Sequence, residues 1–291
     1  MRTILKITLI IITALVFVKC GDPGVSINEA NYEPKISVEA YLYGGETVND
    51  IRISRNFALG SPIDFNKLYL SPAENSVNIS INGIPLEYDP QTKTYFNNNI
   101  VAEYGKTYQL NVSAVIDGKE LSAEAVTTVP KQGFKLMGPS DLGDIKYYVE
   151  KPVIDFAPSS GTDLYVFSVL AENPSVKSFI YDNPYFSDID SNDVKDNYND
   201  YRYQLEVIGN IDSDVDRIYS AQIQYYELWF YGKYRTIAYA GDKNFRNYLF
   251  TAPNVKEFDG NFHEPIQIFT GDGIGVFASA IRDTVYFNLV K

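Results

Sequence analysis

The stretch YQLNVSAVIDGKELSAEA (108–125) decides the fold. Tyr108, Leu110, Val112 and Ala114 alternate with polar residues until Asp117-Gly118, after which Leu121, Ala123 and Ala125 resume the pattern. Alternation with period two places the apolar side chains on one face of a strand. Asp-Gly supplies the two positive-φ positions of a two-residue hairpin. The same grammar stands upstream in VNISINGIPL (77–86), where Val77, Ile79 and Ile81 alternate up to Asn82-Gly83 and Pro85-Leu86 follow. Further back, Val38, Ala40 and Leu42 alternate with Ser37, Glu39 and Tyr41. About seven short strands over residues 35–130 predict an immunoglobulin- or fibronectin III-like β-sandwich.

Downstream, KQGFKLMGP (131–139) reads as a short linker into a second, β-rich domain over residues 138–291. Strands are expected at 147–149, 153–156, 164–170, 203–208, 266–269, 275–280 and 285–290. One helix is expected between them. Val215, Ile218, Tyr219, Gln222, Tyr225, Tyr226, Trp229 and Phe230 recur at helical spacing, with Ser213 as its cap and Lys233 and Arg235 at its negative end. Tyr219, Ala221, Ile223 and Tyr225 also alternate, which leaves a strand as the other reading. The expected class is therefore all-β: two tandem β-sandwich domains, the second with one helix and an acidic loop insertion.

The chain begins with Arg2 and Lys6 ahead of an apolar run from Ile7 to Val18. A helix of that length spans about 18 Å, short of the roughly 30 Å of bilayer hydrocarbon, so an export signal over residues 1–19 is expected instead. The chain's one cysteine, Cys20, follows directly. Cys20-Gly21-Asp22 resembles a bacterial lipoprotein junction, in which the cysteine becomes the acylated first residue, although Lys19 stands where most such junctions carry Gly, Ala or Ser. Residues 20–34, with Gly, Pro, Asn and Asp and no apolar period, read as a flexible tether.

The balance of 37 acids against 25 bases sets a formal charge of −12. Arg2, Lys6 and Lys19 face no acid within the export segment, so the remainder carries −15. That excess disfavours nucleic acid as a partner, because phosphate recognition needs basic patches. One cysteine and one histidine (His263) exclude intrachain disulfides, Cys-rich zinc sites and His-cluster metal sites.

The acids concentrate in residues 182–216, with Asp182, Asp188, Asp190, Asp193, Asp196, Asp200, Glu206, Asp212, Asp214 and Asp216 opposed only by Lys195 and Arg202. Asp188-x-Asp190-x-Asn192 and Asp212-x-Asp214-x-Asp216 open like EF-hand loops. Both lack the Gly at position six and the Glu at position twelve that such loops need. A solvated, turn-rich loop is the favoured reading, a looser calcium site the alternative. Gly271, Gly273 and Gly275 lack the following helix of a dinucleotide fingerprint and read as a turn or bulge between strands. His263, beside Glu264-Pro265, reads as a turn or surface residue.

IYSAQIQYYELWFYGKY (218–234), FHEPIQIFTGDGIGVFASAIRDTVYF (262–287) and YEPKISVEAYLYGG…VNDIRISRN (32–56) together resemble a family of bacterial lipoproteins, mainly of Bacteroidota-type bacteria, catalogued as domain of unknown function 4249. The family's usual Gly after Val-Phe is Ala278 here. The resemblance implies a lipid-anchored outer-membrane protein, often associated with TonB-dependent receptors, and implies no catalytic residue and no cofactor.

Three functions are consistent with these residues. The first is a non-catalytic accessory or scaffold of an outer-membrane complex, anchored through Cys20. A glycan-binding surface lipoprotein is the second, and would require tyrosines lining a concave surface. The third is a hydrolase, which with one histidine would need paired carboxylates.

Overall fold

The computed structural model describes residues 32–58, 60–183, 189–209, 217–252 and 266–291. Residues 57, 58 and 60–62 belong with 32 and 33 to a small unit of their own. Within it Ser61 donates from its amide (3.1 Å) and its hydroxyl (2.6 Å) to the Ala58 carbonyl. The larger unit, residues 34–56 and 63–291, is all-β in architecture, as the alternation predicts.

Its first half holds β1 (Ile36–Tyr43), β2 (Thr47–Arg55), a one-turn helix α1 (Pro72–Asn75), β3 (Asn78–Ile81), β4 (Ile84–Pro85), β5 (Glu87–Asp89), β6 (Thr94–Val101), β7 (Thr107–Ile116) and β8 (Lys119–Thr128). The two predicted hairpins form in register, with Ile81 opposite Ile84 and Ile116 opposite Lys119. Their turn residues Asn82, Gly83, Asp117 and Gly118 all have positive φ, the condition that selects Asn-Gly and Asp-Gly.

The second half holds β9 (Lys135–Met137), β10 (Asp141–Lys146), β11 (Val153–Ala157), β12 (Leu164–Ala171), helices α2 (Ser191–Asp196) and α3 (Tyr198–Tyr201), β13 (Tyr203–Gly209), β14 (Tyr219–Gln222), β15 (Gly232–Gly241), helix α4 (Lys243–Thr251), β16 (Thr270–Gly271) and β17 (Gly273–Val290). Among the described residues three sheets result. A nine-stranded sheet runs β13-β12-β15-β17-β1-β2-β6-β5, with β10 also paired to β17; a five-stranded sheet runs β16-β8-β7-β3-β4; a three-stranded sheet runs β14-β11-β9.

Two apolar cores lie between these layers. The first joins Val38, Ala40 and Leu42 of β1 and Ile51 and Ile53 of β2 to Leu110, Val112 and Ala114 of β7 and Ala123 of β8. The second joins Phe167 and Val169 of β12, Ala238 of β15 and Val285 and Phe287 of β17 to Ile154 and Phe156 of β11 and Ala221 of β14. Both are sandwiches, and one strand serves both. The first part of β17 pairs in parallel with β1, from Gly273 opposite Ile36 to Ala280 opposite Tyr43. Its remainder pairs antiparallel with β15, from Ala280 opposite Gly241 to Leu289 opposite Gly232. Phe277 lies in the first core and Phe287 in the second.

Several expectations are corrected. Residues 218–230 do not form a helix: Tyr219 and Ala221 pair with Phe156 and Ile154 of β11, a short 3-10 turn spans Tyr225–Glu227, and Phe230 makes an isolated bridge to Phe179. Strand pairing and burial of Ala221, Ile223, Leu228 and Phe230 outweigh the helical spacing. The longest helix among the described residues is instead α4, capped by Asp242, whose carboxylate accepts from the Phe245 amide at 3.0 Å. The supposed linker is partly a strand, because Phe134 is buried in the second core and β9 pairs with β11. Residues 147–149 form a turn, with Tyr148 at φ +66°, and 266–269 form no strand. The strands expected at 275–280 and 285–290 are one continuous element.

Asp242 also joins the layers. Its carboxylate accepts from the Thr127 hydroxyl of β8 at 2.6 Å and from the Ser279 amide of β17 at 3.2 Å. All three residues are buried. Burial pushes the Asp242 carboxyl above its ordinary range, opposed by these bonds. The adjoining helix packs Phe245 against Tyr41 and Tyr239, each with ring centroids 5.9 Å away.

Candidate functional site

Cys20, the export segment 1–19 and residues 20–31 of the tether lie outside the described residues. So do Asp188, Asp212, Ser213, Asp214, Asp216, His263, Glu264 and Pro265. Of the acidic insertion, Asp190 and Asp193 are engaged in capping α2. The Asp190 carboxylate accepts from the amides of Asn192 (2.6 Å) and Asp193 (3.0 Å), and Asp193 accepts in return from the Asp190 amide at 2.9 Å. These bonds hold the Asp190 carboxyl below its usual range. Among the described residues no group of three or more His, Cys, Asp or Glu is placed to hold a metal ion. The glycine run leads into a strand: Gly271 turns at φ +77° against β8, and β17 follows.

Two carboxylates do come together. Glu206 lies opposite Phe167, on the core side of β13, and Glu227 ends the 3-10 turn at Tyr225–Glu227. Burial raises the Glu206 carboxyl, and burial first and then Glu206 raise that of Glu227. Neither lines the clefts of the first sandwich.

The tyrosines divide into two groups. In the insertion, Tyr198 donates to the Pro174 carbonyl at 2.8 Å and Tyr201 packs on Phe179 and Trp229, with centroids 5.2 and 5.0 Å away. These serve the second core. Tyr181 and Tyr203 remain exposed. A second aromatic group gathers around Tyr147, whose ring meets Tyr225 at 6.0 Å and Tyr231 at 5.8 Å, both nearly perpendicular. The Tyr147 hydroxyl is buried without a hydrogen-bond partner among the described residues, and burial, with Tyr231 and Asp182 nearby, pushes it up to about 12.

A concave surface with aromatic walls lies in the first sandwich. A cleft of about 420 Å³ opens between α1, the segment before it and the β5–β6 turn. Tyr69 and Tyr88 form walls with Pro72 and Pro90, and Asn66, Glu74 and Lys93 supply polar groups. Lys93 Nζ sits 5.6 Å from the Tyr69 ring centroid. The signal in the sequence was the pair of Tyr-bearing segments NKLYLSPAE (66–74) and EYDPQTK (87–93), each with a proline within three residues of its tyrosine.

Outward from the second core, β13 is the end strand of its sheet, and among the described residues no strand pairs with its outer edge. The face turned from the core presents Tyr203, Leu205 and Val207, exposed by 43%, 38% and 36%. Glu206 points the other way.

No protein-family model matches the chain. No curated protein matches it significantly in sequence. Among solved structures it is similar to the titin domains Z1Z2 in complex with telethonin, at 9% identity and a TM-score of 0.21, over 88% of this chain and 95% of that one. It is also similar to a bacterial ice-binding adhesin of 1.5 MDa concerned with host cell surface retention, at 9% identity and a TM-score of 0.21, over 90% of this chain and 66% of that one.

Proposed function

We propose that the protein is a non-catalytic lipoprotein of the cell envelope, anchored to the outer membrane through Cys20 and acting as an accessory or scaffold of a complex there, with a TonB-dependent receptor as the expected partner. The observation that carries the reading is the outer face of β13. Three neighbouring apolar side chains stand more than a third exposed on an end strand, the composition of a protein contact rather than of a solvated edge. Glu206 on the core side of the same strand guards against indiscriminate strand addition, since an inward charge disfavours a new neighbour there. A partner would then pack on the face. Cys20 supports the anchor by its position after the apolar run, and several acyl chains at roughly 0.8 kcal/mol per buried CH₂ would hold the protein firmly on lipid.

The test is affinity purification of the full chain from membranes in mild detergent, alongside Cys20→Ser and Leu205→Lys. The expected result is an integral outer-membrane protein recovered with the wild type, loss of membrane retention in Cys20→Ser, and loss of the co-purifying protein but not of the anchor in Leu205→Lys. Membrane retention of Cys20→Ser would overturn the anchor. Recovery of the same partner with Leu205→Lys would overturn the contact face.

A further inference from the structure

We propose that the cleft between Tyr69 and Tyr88 is a binding site for the pyranose units of a neutral oligosaccharide. It rests on none of the reading above, because neither the anchor nor a protein partner contributes to it.

The walls are held from behind. The Tyr69 backbone bridges to Ser54 of β2, and the next residue, Leu70, donates to the Ile53 carbonyl at 2.9 Å. Tyr88 rests on Tyr95, with centroids 4.9 Å apart, and the buried Tyr95 hydroxyl donates to the Leu70 carbonyl at 3.0 Å. The Tyr69 backbone and the Tyr88 ring are therefore positioned without a ligand. The floor is fixed as well: Ser71 accepts from the Glu74 amide at 3.3 Å and donates its own amide to Asn75 Oδ1 at 3.2 Å, closing the first turn of α1.

The third wall carries backbone strain. Asp89 accepts from the Gln91 amide (2.8 Å) and the Thr92 hydroxyl (3.0 Å), which winds the turn tightly. It ends with Lys93 at φ +57°, a left-handed position that glycine occupies more readily. A lysine kept there brings its ammonium over the Tyr69 ring at the cleft's edge.

The chemistry selects the ligand. A pyranose offers an apolar C–H face to an aromatic or proline wall and a rim of hydroxyls that both donate and accept. The cleft matches this with two tyrosine rings and two prolines, a donor in Lys93, an acceptor in Glu74, and an amide capable of both in Asn66. Lys93 offsets only one of the two acids, Glu74 and Asp89, that act on the Tyr88 wall, so the site favours a neutral ligand over an anionic one. A volume near 420 Å³ falls within the ordinary range of small-ligand sites and has room for more than a single sugar.

The experiment presents the full chain, in mild detergent, to an array of neutral, amino-sugar and uronic-acid oligosaccharides and to a decaproline peptide. The tightest oligosaccharide is then titrated by calorimetry against the wild type, Tyr69→Ala and Lys93→Gly. The expected result is binding confined to neutral oligosaccharides, weakened about tenfold or more by Tyr69→Ala. Lys93→Gly should weaken binding by roughly tenfold while leaving the thermal midpoint unchanged or raised, because it relieves the left-handed residue. That variant separates loss of binding from loss of fold. Absence of any oligosaccharide hit, preference for uronic acids, binding of decaproline alone, or an affinity untouched by Lys93→Gly would each overturn the proposal.

Discussion

Gly275 of β17 pairs with Val38 of β1. Its φ is +104°, and a Cβ built there would lie 2.2 Å from the Val38 carbonyl oxygen. Gly83, in the β3–β4 turn, has φ +78° but open space around the same position. Gly275→Ala must therefore displace a parallel strand pair, whereas Gly83→Ala meets only its own backbone preference. Expected losses are several kcal/mol, about 3 or more, for Gly275→Ala and about 1–2 kcal/mol for Gly83→Ala. Urea unfolding of the two variants checks this, and equal losses would remove the case for a close strand approach. Residues of this kind were half legible. The glycine run in GDGIGV (271–276) was readable as a turn or bulge because no helix pattern follows it. That its last member presses on residue 38 was not, since sequence carries no sign of a partner 237 positions away.

At the scale of elements, the alternating stretches were legible because β1, β3, β7 and β8 each bury one face, and period two survives in the sequence. The Tyr-rich segment 218–234 was not, because its burial is set by contacts on several sides: Ala221 meets β11, Phe230 meets Phe179, and Tyr225 meets Tyr147. Such a segment satisfies a helical template and, less fully, a strand template. The candidate cleft was legible only as two unconnected segments, each with a tyrosine near a proline. Tyr69 and Tyr88 lie on separate segments joined only by folding. The shared sheet gives a sharper expectation. Residues 32–130 alone lack Phe277 and the strand that pairs with β1, leaving Ile36, Val38 and Ala40 beside an open edge. A fragment of residues 32–130 is expected to show poor dispersion in an amide NMR spectrum and to aggregate. Appending residues 268–281 through a flexible linker should restore a folded spectrum. A well-dispersed spectrum from the short fragment would contradict the shared-strand account.

Across the whole molecule, tyrosine is the characteristic residue, 24 of 291. Burial pushes Tyr43 and Tyr147 up to about 12, from an ordinary value near 10. Tyr43 is held between Tyr239 and Arg282, whose guanidinium lies 3.9 Å from its ring centroid and pairs with Glu46 at 2.7 and 2.5 Å. A folded-state pKa above the unfolded one means that the folded protein retains protons the unfolded chain releases. The stability these groups contribute is full below pH 10 and declines as pH rises from there to about 12. Alkaline titration followed by tyrosinate absorbance and circular dichroism should show a late, cooperative phase coinciding with unfolding. Gradual ionisation of every tyrosine near pH 10 with the fold intact would count against this.

The strand that serves both cores also sets a timetable. β1 opens the first sheet near residue 36, yet its parallel neighbour begins at residue 273. However the chain emerges, from a ribosome or across a membrane, β1 waits for about 230 further residues before that neighbour is available. During the wait the chain presents an unpaired, apolar edge, and the closing contact has a very long sequence separation, the feature that slows folding most. A copy is thus most vulnerable just before β17 appears, and a helper that shields the waiting edge would have its greatest effect then.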